Sequence, residues 1–140
     1  MKDYIIYTDG GCNNKKVGGI GIVWLLNGKK VLDYSKTYID VTNNIMELTA
    51  IYIALKSIKN NIDSLEIISD SEYALGCIFN ENWNPKKNIE LISKAKKELE
   101  RVKTLTKVTY RHIDGHQKGN TEDAKWNRYV DNLATLYRYL

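Results

Sequence analysis

The sequence is poor in cysteine and proline and has no long run of apolar residues. Its only two cysteines, Cys12 and Cys77, have neither metal-ligand nor redox spacing, and Pro85 is the only proline. No apolar leader, membrane-length segment, repeat or low-complexity tract occurs, which predicts a cytoplasmic protein in a reducing environment. These absences argue against a repeat architecture and against a cysteine-based metal or redox site.

Length and composition predict a single domain spanning residues 1–140. Of the residues, 43% are hydrophobic, enough for one core, and the chain is too short for two ordinary domains. The formal net charge of +4 permits a polyanionic partner without requiring one. Nothing in the sequence requires a protein partner or a membrane, so a monomer suffices.

Two stretches share a pattern of apolar strand residues that end in an aspartate. The first stretch, residues 4–9, ends in Asp9 and is followed by two glycines. The second, residues 65–70, ends in a serine and then Asp70. If the two strands are parallel neighbours, their carboxyl ends meet at one edge of the sheet, where open α/β sheets bind ligands. We therefore expect Asp9 and Asp70 to lie side by side, with Gly10 and Gly11 giving clearance for a ligand.

Hydrophobic periodicity predicts the element order β-β-β-α-β-α-α-β-α, an α/β domain with a mixed five-stranded sheet and helices on both faces. Asn27-Gly28 predicts a hairpin within a meander of three strands, and the fourth and fifth strands should run parallel to the first. The predicted elements after the first strand are strands at 20–26 and 31–38, a helix from Asn43 to about Asn60, a strand at 65–69, helices at 72–79 and 89–102, a strand at 108–113, and a final helix from about Thr121 whose buried face is Trp126, Val130, Leu133, Tyr137 and Leu140.

Each acidic candidate also has an ordinary structural interpretation. Glu47 lies in the first turn of its helix, where it could pair with Asn44 as a cap. Asp70 could begin the next helix, with Ser69 and Glu72 as a capping box. His116 lies on a glycine-containing loop, where most histidines have no role, and His112 lies inside a strand, which favours a structural role.

Taken together, four acids point to one rim of the sheet: Asp9, Glu47, Asp70 and Asp131, the last at the border of the final helix's buried face. Clustered carboxylates raise one another's pKa, a cost that bound cations remove. An all-oxygen ligand set suits Mg²⁺ or Mn²⁺ better than zinc. Two such ions, roughly 4 Å apart, can clamp the attacking and leaving oxygens of a phosphodiester displacement.

Five motifs in order resemble the type 1 ribonuclease H family, and the resemblance spans nearly the whole chain. A single such motif has little value, whereas five in register are specific. The motifs are Tyr7-Thr8-Asp9-Gly10-Gly11-Cys12, Thr42-Asn43-Asn44-Ile45-Met46-Glu47-Leu48, Ser69-Asp70-Ser71-Glu72-Tyr73, His112-Ile113-Asp114-Gly115-His116 and Val130-Asp131-Asn132-Leu133-Ala134.

The resemblance implies a ribonuclease H-like fold and an endonuclease that cuts the RNA strand of RNA–DNA hybrids, leaving 5′-phosphate and 3′-hydroxyl ends. It implies two divalent ions, Mg²⁺ with Mn²⁺ as a substitute, held by the four carboxylates, and a mobile His116 that helps product leave. By the same matching, Thr42 and Asn88 would hold a DNA phosphate. The minor-groove contacts, where 2′-hydroxyls mark the RNA strand, would be Asn14, Asn43 and Asn44.

Three features depart from the family pattern. Asp40 stands where a basic residue often completes the phosphate pocket, and Asp114 replaces a residue that is often basic or neutral. Residues 80–88 are too few for the basic protrusion of many bacterial members, which leaves Trp83, Lys86 and Lys87 as its replacement. Trp83 alone is also consistent with a packed loop anchor. We expect weak hybrid binding with a shallow salt dependence.

Three other functions are compatible with parts of the sequence. A catalytically silent nucleic-acid-binding domain on the same fold conflicts with the intact acid quartet. A transposase, integrase or junction-resolving nuclease would share the carboxylates, but Asn43, Asn44 and the His116 loop favour the hybrid nuclease. A small-molecule α/β enzyme is disfavoured most, because the first loop lacks a G-x-G-x-x-G fingerprint that opens a helix.

Overall fold

The computed structural model describes all residues from Met1 to Leu140, and its central strand is the one that carries Asp9. The sheet has the strand order β3-β2-β1-β4-β5. The elements are β1 (Asp3–Cys12), β2 (Val17–Leu26), β3 (Lys29–Ile39), α1 (Asn43–Lys56), β4 (Ser64–Ser69), α2 (Glu72–Phe79), α3 (Ile89–Lys103), β5 (Lys107–His112), α4 (Glu122–Ala134) and a 3₁₀ helix (Leu136–Tyr139).

Strand directions follow from the connections, and the predicted fold class and element order are confirmed. β1, β2 and β3 form an antiparallel meander, while β4 pairs parallel with β1 and β5 pairs parallel with β4. The β2–β3 turn places Asn27 and Gly28 at φ values of 50° and 84°, the left-handed conformations of a two-residue hairpin. Each parallel pair is joined through at least one helix, which is why the sheet is mixed.

Alternation along the strands builds a core on each face of the sheet. Ile6 and Ile67 point to the face covered by α1, α2 and α3, where the larger group of buried side chains lies. Tyr7 and Ile68, one residue further along each strand, point to the opposite face and pack with Val130 of α4. The central strands are therefore buried on both faces, and polar residues lie toward their carboxyl ends.

Several predicted boundaries and caps were wrong. α1 ends at Lys56, about four residues before the predicted end, and Ser57 is its C-cap. The guanidinium of Arg101 donates to the Leu55 and Ile58 carbonyls at this end of the helix. The N-caps of α1 and α2 are Thr42 and Ser71, whose hydroxyls accept from the backbone N–H groups of Ile45 and Ala74. The pairing of Asn44 with Glu47 and the Ser69–Glu72 capping box are therefore absent.

The C-terminal region also departs from the predicted single helix. α4 ends at Ala134, and the following 3₁₀ turn buries Tyr137 while leaving Leu140 90% exposed, so Leu140 does not belong to the buried face. Strand β5 is a largely exposed edge strand rather than a half-buried one, and Tyr110 stacks on Phe79 with 4.5 Å between ring centroids. None of the helices has the length and apolar character needed to cross a membrane.

Candidate active site

The first two carboxylates lie where the parallel pairing of β1 with β4 ends. Thr8 pairs with Ser69 at the last position of their ladder, so Asp9 and Asp70 follow at equivalent places. The two chains then differ: β1 runs on beside β2 as far as Cys12, with no turn at Gly10 and Gly11, whereas the chain after Asp70 turns into α2. The adjacent positions of Asp9 and Asp70 are the ones predicted from the two similar sequence stretches.

Glu47 joins the pair because α1 crosses β1 at Gly10. A Cβ atom at Gly10 would lie 2.4 Å from the carbonyl carbon of Met46 and 2.7 Å from the backbone nitrogen of Glu47. Only glycine permits this approach of helix and strand. Gly10 therefore serves helix packing rather than clearance for a ligand, whereas a Cβ at Gly11 would meet only Asn43 Oδ1, at 3.6 Å.

Burial and mutual repulsion make these carboxylates difficult to ionise. Asp9 is 6% exposed, and burial together with the neighbouring Asp70 and Asp131 raises its pKa to about 9. Burial, then the charges of Asp9 and Asp70, also raise the pKa of Glu47 well above its usual range. A bound cation would reverse both effects by stabilising the ionised forms.

The donor set fits a hard divalent cation. One oxygen from each of Asp9, Glu47 and Asp70 lies within 4.8 Å of the others. The Glu47 Oε1 atom is buried and has no hydrogen-bond partner, which is costly for a carboxylate unless a ligand satisfies it. Since all three donors are oxygens, these residues could hold Mg²⁺ or Mn²⁺.

Asp131 reaches the same site from the opposite face of the sheet, on α4. Its carboxylate faces Asp9 closely enough to raise the Asp9 pKa. The carboxylates open into a cavity of about 390 Å³. The cavity is lined by Asp9, Gly10, Gly11, Cys12, Asn43, Glu47, Asp70, Gly115, His116, Asp131, Thr135, Tyr137 and Arg138.

Asp70 is held by Asn127, which the sequence interpretation missed, and is also contacted by Gly115 and His112. Asn127 Nδ2 donates to Asp70 Oδ2 over 3.2 Å, and Asn127 is 2% exposed. Gly115 packs so closely that a Cβ there would lie 2.9 Å from Asp70 Oδ2, and His112 Nε2 lies 3.2 Å from the Asp70 backbone oxygen. A polar residue four positions before Asp131, on the same side of α4, was the available signal for Asn127.

His116 lies in the cavity wall on a turn after β5. Its φ of 55° places it in the left-handed region, which non-glycine residues adopt rarely. The loop is tied down by Gln117, whose side chain donates to the Asp114 carbonyl and whose own carbonyl accepts from Arg128. The histidine is exposed, so its ring has room to move toward a ligand at the carboxylates.

Of the residues predicted to bind a nucleic-acid substrate, Asn43 alone lines the cavity. Its Oδ1 accepts a hydrogen bond of 2.8 Å from the Cys12 backbone N–H, and its Nδ2 group donates to no other residue. Thr42 is the α1 N-cap, and Asn44 and Asn14 are exposed nearby, in the first turn of α1 and in the β1–β2 turn. These four exposed residues, on the turn that follows Cys12 and at the start of α1, are called the polar edge.

The remaining predicted contacts lie on the α2–α3 loop, outside the cavity. Asn88 adopts a left-handed φ of 59° and donates to the Tyr73 hydroxyl over 3.2 Å. Trp83 is half-buried, with its ring against Gly76 of α2, where a Cβ would lie 2.5 Å from the indole. One face of the Trp83 ring is therefore packed, as expected for a loop anchor. Lys86 and Lys87 are exposed.

Comparison with known proteins gives a consistent result along the chain. A family model described as RNase H matches residues 1–138. A curated protein named Ribonuclease H from Ruthia magnifica is 37% identical over an alignment of 155 positions, which covers 96% of this chain and 100% of the relative. Relatives with the same name from Clostridium botulinum (37%) and Syntrophomonas wolfei (34%) each cover 96% of this chain and 94% of their own length.

Proposed function

Because the chain belongs to the ribonuclease H family, we propose that it is an endonuclease that hydrolyses the RNA strand of RNA–DNA hybrids, leaving 5′-phosphate and 3′-hydroxyl ends. The observation that carries the proposal is the convergence of Asp9, Glu47 and Asp70, from three different elements, within 4.8 Å. We propose that residues 1–140 act as one domain and as a monomer in the cytoplasm, with no membrane association and no protein partner.

Two divalent ions, Mg²⁺ or Mn²⁺, are held in this proposal by Asp9, Glu47, Asp70 and Asp131. When bound, such ions supply Lewis-acid stabilisation of the attacking and leaving oxygens of the phosphodiester. The chain's contribution is to present ionised oxygens in fixed positions. Asn127 and Gly115 restrict the Asp70 carboxylate, and the contact of Gly10 with α1 sets the position of Glu47.

His116 is proposed to assist departure of the product. It lines the cavity with the four carboxylates but lies on an exposed loop, so it can approach the cleaved phosphate without being required as a ligand. An imidazole there can share or transfer a proton at the newly formed phosphate, which weakens its hold on the site.

Recognition of the hybrid is proposed to use the polar edge formed by Asn14, Thr42, Asn43 and Asn44. The Asn43 amide supports this role, since Cys12 fixes its oxygen and the amino group is left to donate. A donor directed to the minor groove can bond to 2′-hydroxyl or base acceptors. Asn88, with Thr42, is proposed to contact a phosphate of the DNA strand, and Trp83, Lys86 and Lys87 are proposed to contact the backbone farther away.

Cleavage assays on matched duplexes test the proposal. Identical sequences are prepared as end-labelled RNA–DNA hybrid, RNA duplex and DNA duplex, and incubated with Mg²⁺, Mn²⁺ or EDTA. We expect cutting of the RNA strand of the hybrid alone, abolished by EDTA, with 5′-phosphate products on mass spectrometry. Binding without metal-dependent cutting would instead identify a silent binding domain, and cutting of the DNA duplex would indicate a different nuclease.

A further inference from the structure

The active-site cavity has walls from the two opposite faces of the sheet. Asn43 of α1 lies in one wall, and Thr135, Tyr137 and Arg138, which follow α4, lie in the other. The carboxylates of Asp9 and Asp70 lie between these walls, where the pairing of β1 with β4 ends. A strand that crosses the carboxylates therefore has Asn43 on one side and the 3₁₀ helix on the other.

The 3₁₀ helix holds Arg138 in a fixed relation to Asp131. The backbone N–H of Thr135 donates to the Asp131 carbonyl over 3.1 Å, and that of Arg138 donates to the Thr135 carbonyl over 3.0 Å. Tyr137 is 7% exposed and anchors the turn, while the Arg138 side chain is exposed. Only eight residues, 131–138, thus carry one proposed metal ligand and one guanidinium of the same cavity.

Arg138 has no partner within the protein although it lines a cavity with four carboxylates. Its guanidinium makes no salt bridge or hydrogen bond, and the residue is bonded to its neighbours only through its backbone. By contrast, Arg101 and Arg111 pair with Glu98 and Asp123. Besides His116, Arg138 is the only basic side chain in the cavity wall, so it is available to an anion bound there.

We propose that Arg138 binds a non-bridging oxygen of the phosphate next to the scissile one, on the cleaved strand and on the side away from Asn43. This inference rests on the proposed function, since it needs a strand lying across the carboxylates. The planar fork of arginine suits bidentate recognition of a phosphate. A cation at this rim offsets the repulsion between an acidic site and a polyanionic substrate without neutralising the metal ligands.

Steady-state kinetics and binding to the hybrid test the role of Arg138. The variants are Arg138→Ala and Arg138→Lys, with Lys29→Ala as the control that removes the same charge. Lys29 begins β3 at the hairpin end of the sheet, away from Asp9, and forms no ion pair. Because the Arg138 side chain has no protein partner, circular dichroism should show the same Tm for all these proteins.

For Arg138→Ala we expect KM for the hybrid to rise about 3- to 10-fold with a smaller change in kcat, and Arg138→Lys to lie between it and the wild type. The slope of log K against log salt, measured by hybrid binding in EDTA, should be shallower by about 0.7–0.9, as expected for one lost phosphate contact. Lys29→Ala should match the wild type. Unchanged KM and slope in Arg138→Ala would overturn the inference.

Hybrids with one neutral methylphosphonate linkage locate the phosphate. When the neutral linkage lies next to the scissile one, on the side away from Asn43, it should weaken hybrid binding by the wild type 3- to 10-fold. Binding by Arg138→Ala should be the same with and without it. Equal losses in both proteins at that linkage would mean that Arg138 touches another group, and would contradict the proposal. A wild type that does not cut any hybrid refutes the proposed function, whereas an active wild type with an unaltered Arg138→Ala refutes only this inference.

Discussion

The side chain of Asn127 on α4 donates a hydrogen bond to the carboxylate of Asp70 at the end of β4, with 3.2 Å between Nδ2 and Oδ2. The bond joins a helix on one face of the sheet to Asp70, a proposed metal ligand at the carboxyl end of β4. Because Asn127 is 2% exposed, water cannot readily replace the bond. Asn127 therefore fixes the direction in which Asp70 presents its second oxygen.

Replacing Asn127 should weaken catalysis through Asp70. We expect Asn127→Ala to lower kcat by about 10- to 100-fold and to reduce Mn²⁺ affinity, since outer partners orient metal ligands. Titration calorimetry with Mn²⁺ and hybrid cleavage are the measurements, and Asn132→Ala, an exposed asparagine of the same helix, is the control. If Asn127→Ala had a lower Tm but unchanged Mn²⁺ affinity, Asn127 would contribute to packing only and would not orient Asp70.

Gly10 and Gly11 should differ sharply in their tolerance of alanine. In Gly10→Ala the new Cβ meets the α1 backbone at 2.4–2.7 Å, so the helix must shift and carry Glu47 with it. We expect a loss of about 2–4 kcal/mol in the free energy of unfolding, by analogy with overpacked cores, and a large loss of cleavage. Denaturant unfolding and cleavage assays measure both effects.

Gly11→Ala is the matched control, because its Cβ would meet nothing closer than Asn43 Oδ1 at 3.6 Å. It should unfold within about 1 kcal/mol of the wild type. Equal destabilisation by the two substitutions would contradict the assigned role of Gly10.

The order and direction of the strands could be predicted because their signals are local. Asn27-Gly28 specifies a tight hairpin, and the two stretches ending in Asp9 and Asp70 have the apolar runs of strands buried on both faces. Caps were predicted less well, because Thr42, Asn43, Asn44, Ser69 and Ser71 are all good capping residues. Which of them caps depends on where the preceding strand or loop delivers the chain.

Contacts between distant elements were beyond the sequence interpretation. The bond from Asn127 to Asp70 spans 57 positions, and the packing of Gly10 against Met46 depends on the angle at which α1 crosses β1. The end of α4 was similarly hidden: Leu133, Tyr137 and Leu140 continue a helical period, but the helix stops at Ala134 and a 3₁₀ turn follows. The cavity-lining position of Arg138 results from that turn.

Replacing Trp83 and replacing its neighbouring lysines should differ in their effect on stability. Trp83→Ala removes a ring packed against Gly76 and should lower the free energy of unfolding by about 2–3 kcal/mol. The double variant Lys86→Ala/Lys87→Ala should leave stability unchanged, since both side chains are exposed, and should weaken hybrid binding mainly at low salt. Thermal unfolding and binding at two salt concentrations distinguish the two variants. A Trp83→Ala protein as stable as the wild type would show that the ring is not a packing anchor.

His116→Ala should slow turnover without abolishing it. The cavity retains all four carboxylates in this variant, so chemistry continues while product departure slows. We expect kcat to fall about 10- to 100-fold, with a smaller effect on the first turnover in rapid-quench experiments. Asn120→Ala, exposed on the same loop, is the control. Complete loss of the first turnover would mean that His116 takes part in the bond-breaking step.

Asp9→Asn should abolish cleavage and, without metal, stabilise the fold. Burial and nearby carboxylates raise the Asp9 pKa from 3.8 to about 9, so the folded protein holds this proton more tightly than the unfolded chain does. Protonation of Asp9 therefore contributes its full stabilisation below about pH 4, and this contribution is lost as the pH rises toward 9. In EDTA, the wild type's free energy of unfolding should decline across this range.

The neutral amide of Asp9→Asn lacks that penalty, so its Tm in EDTA should match the wild type near pH 4 and exceed it increasingly toward pH 9. The difference should be on the order of 2 kcal/mol, or about 5 °C, less than the full shift implies because neighbouring carboxylates share the proton. Adding Mg²⁺ should raise the wild-type Tm more than the variant's, since only the wild type regains all its anionic ligands. A variant that is less stable than the wild type at pH 8 in EDTA would show that Asp9 supports the fold rather than straining it.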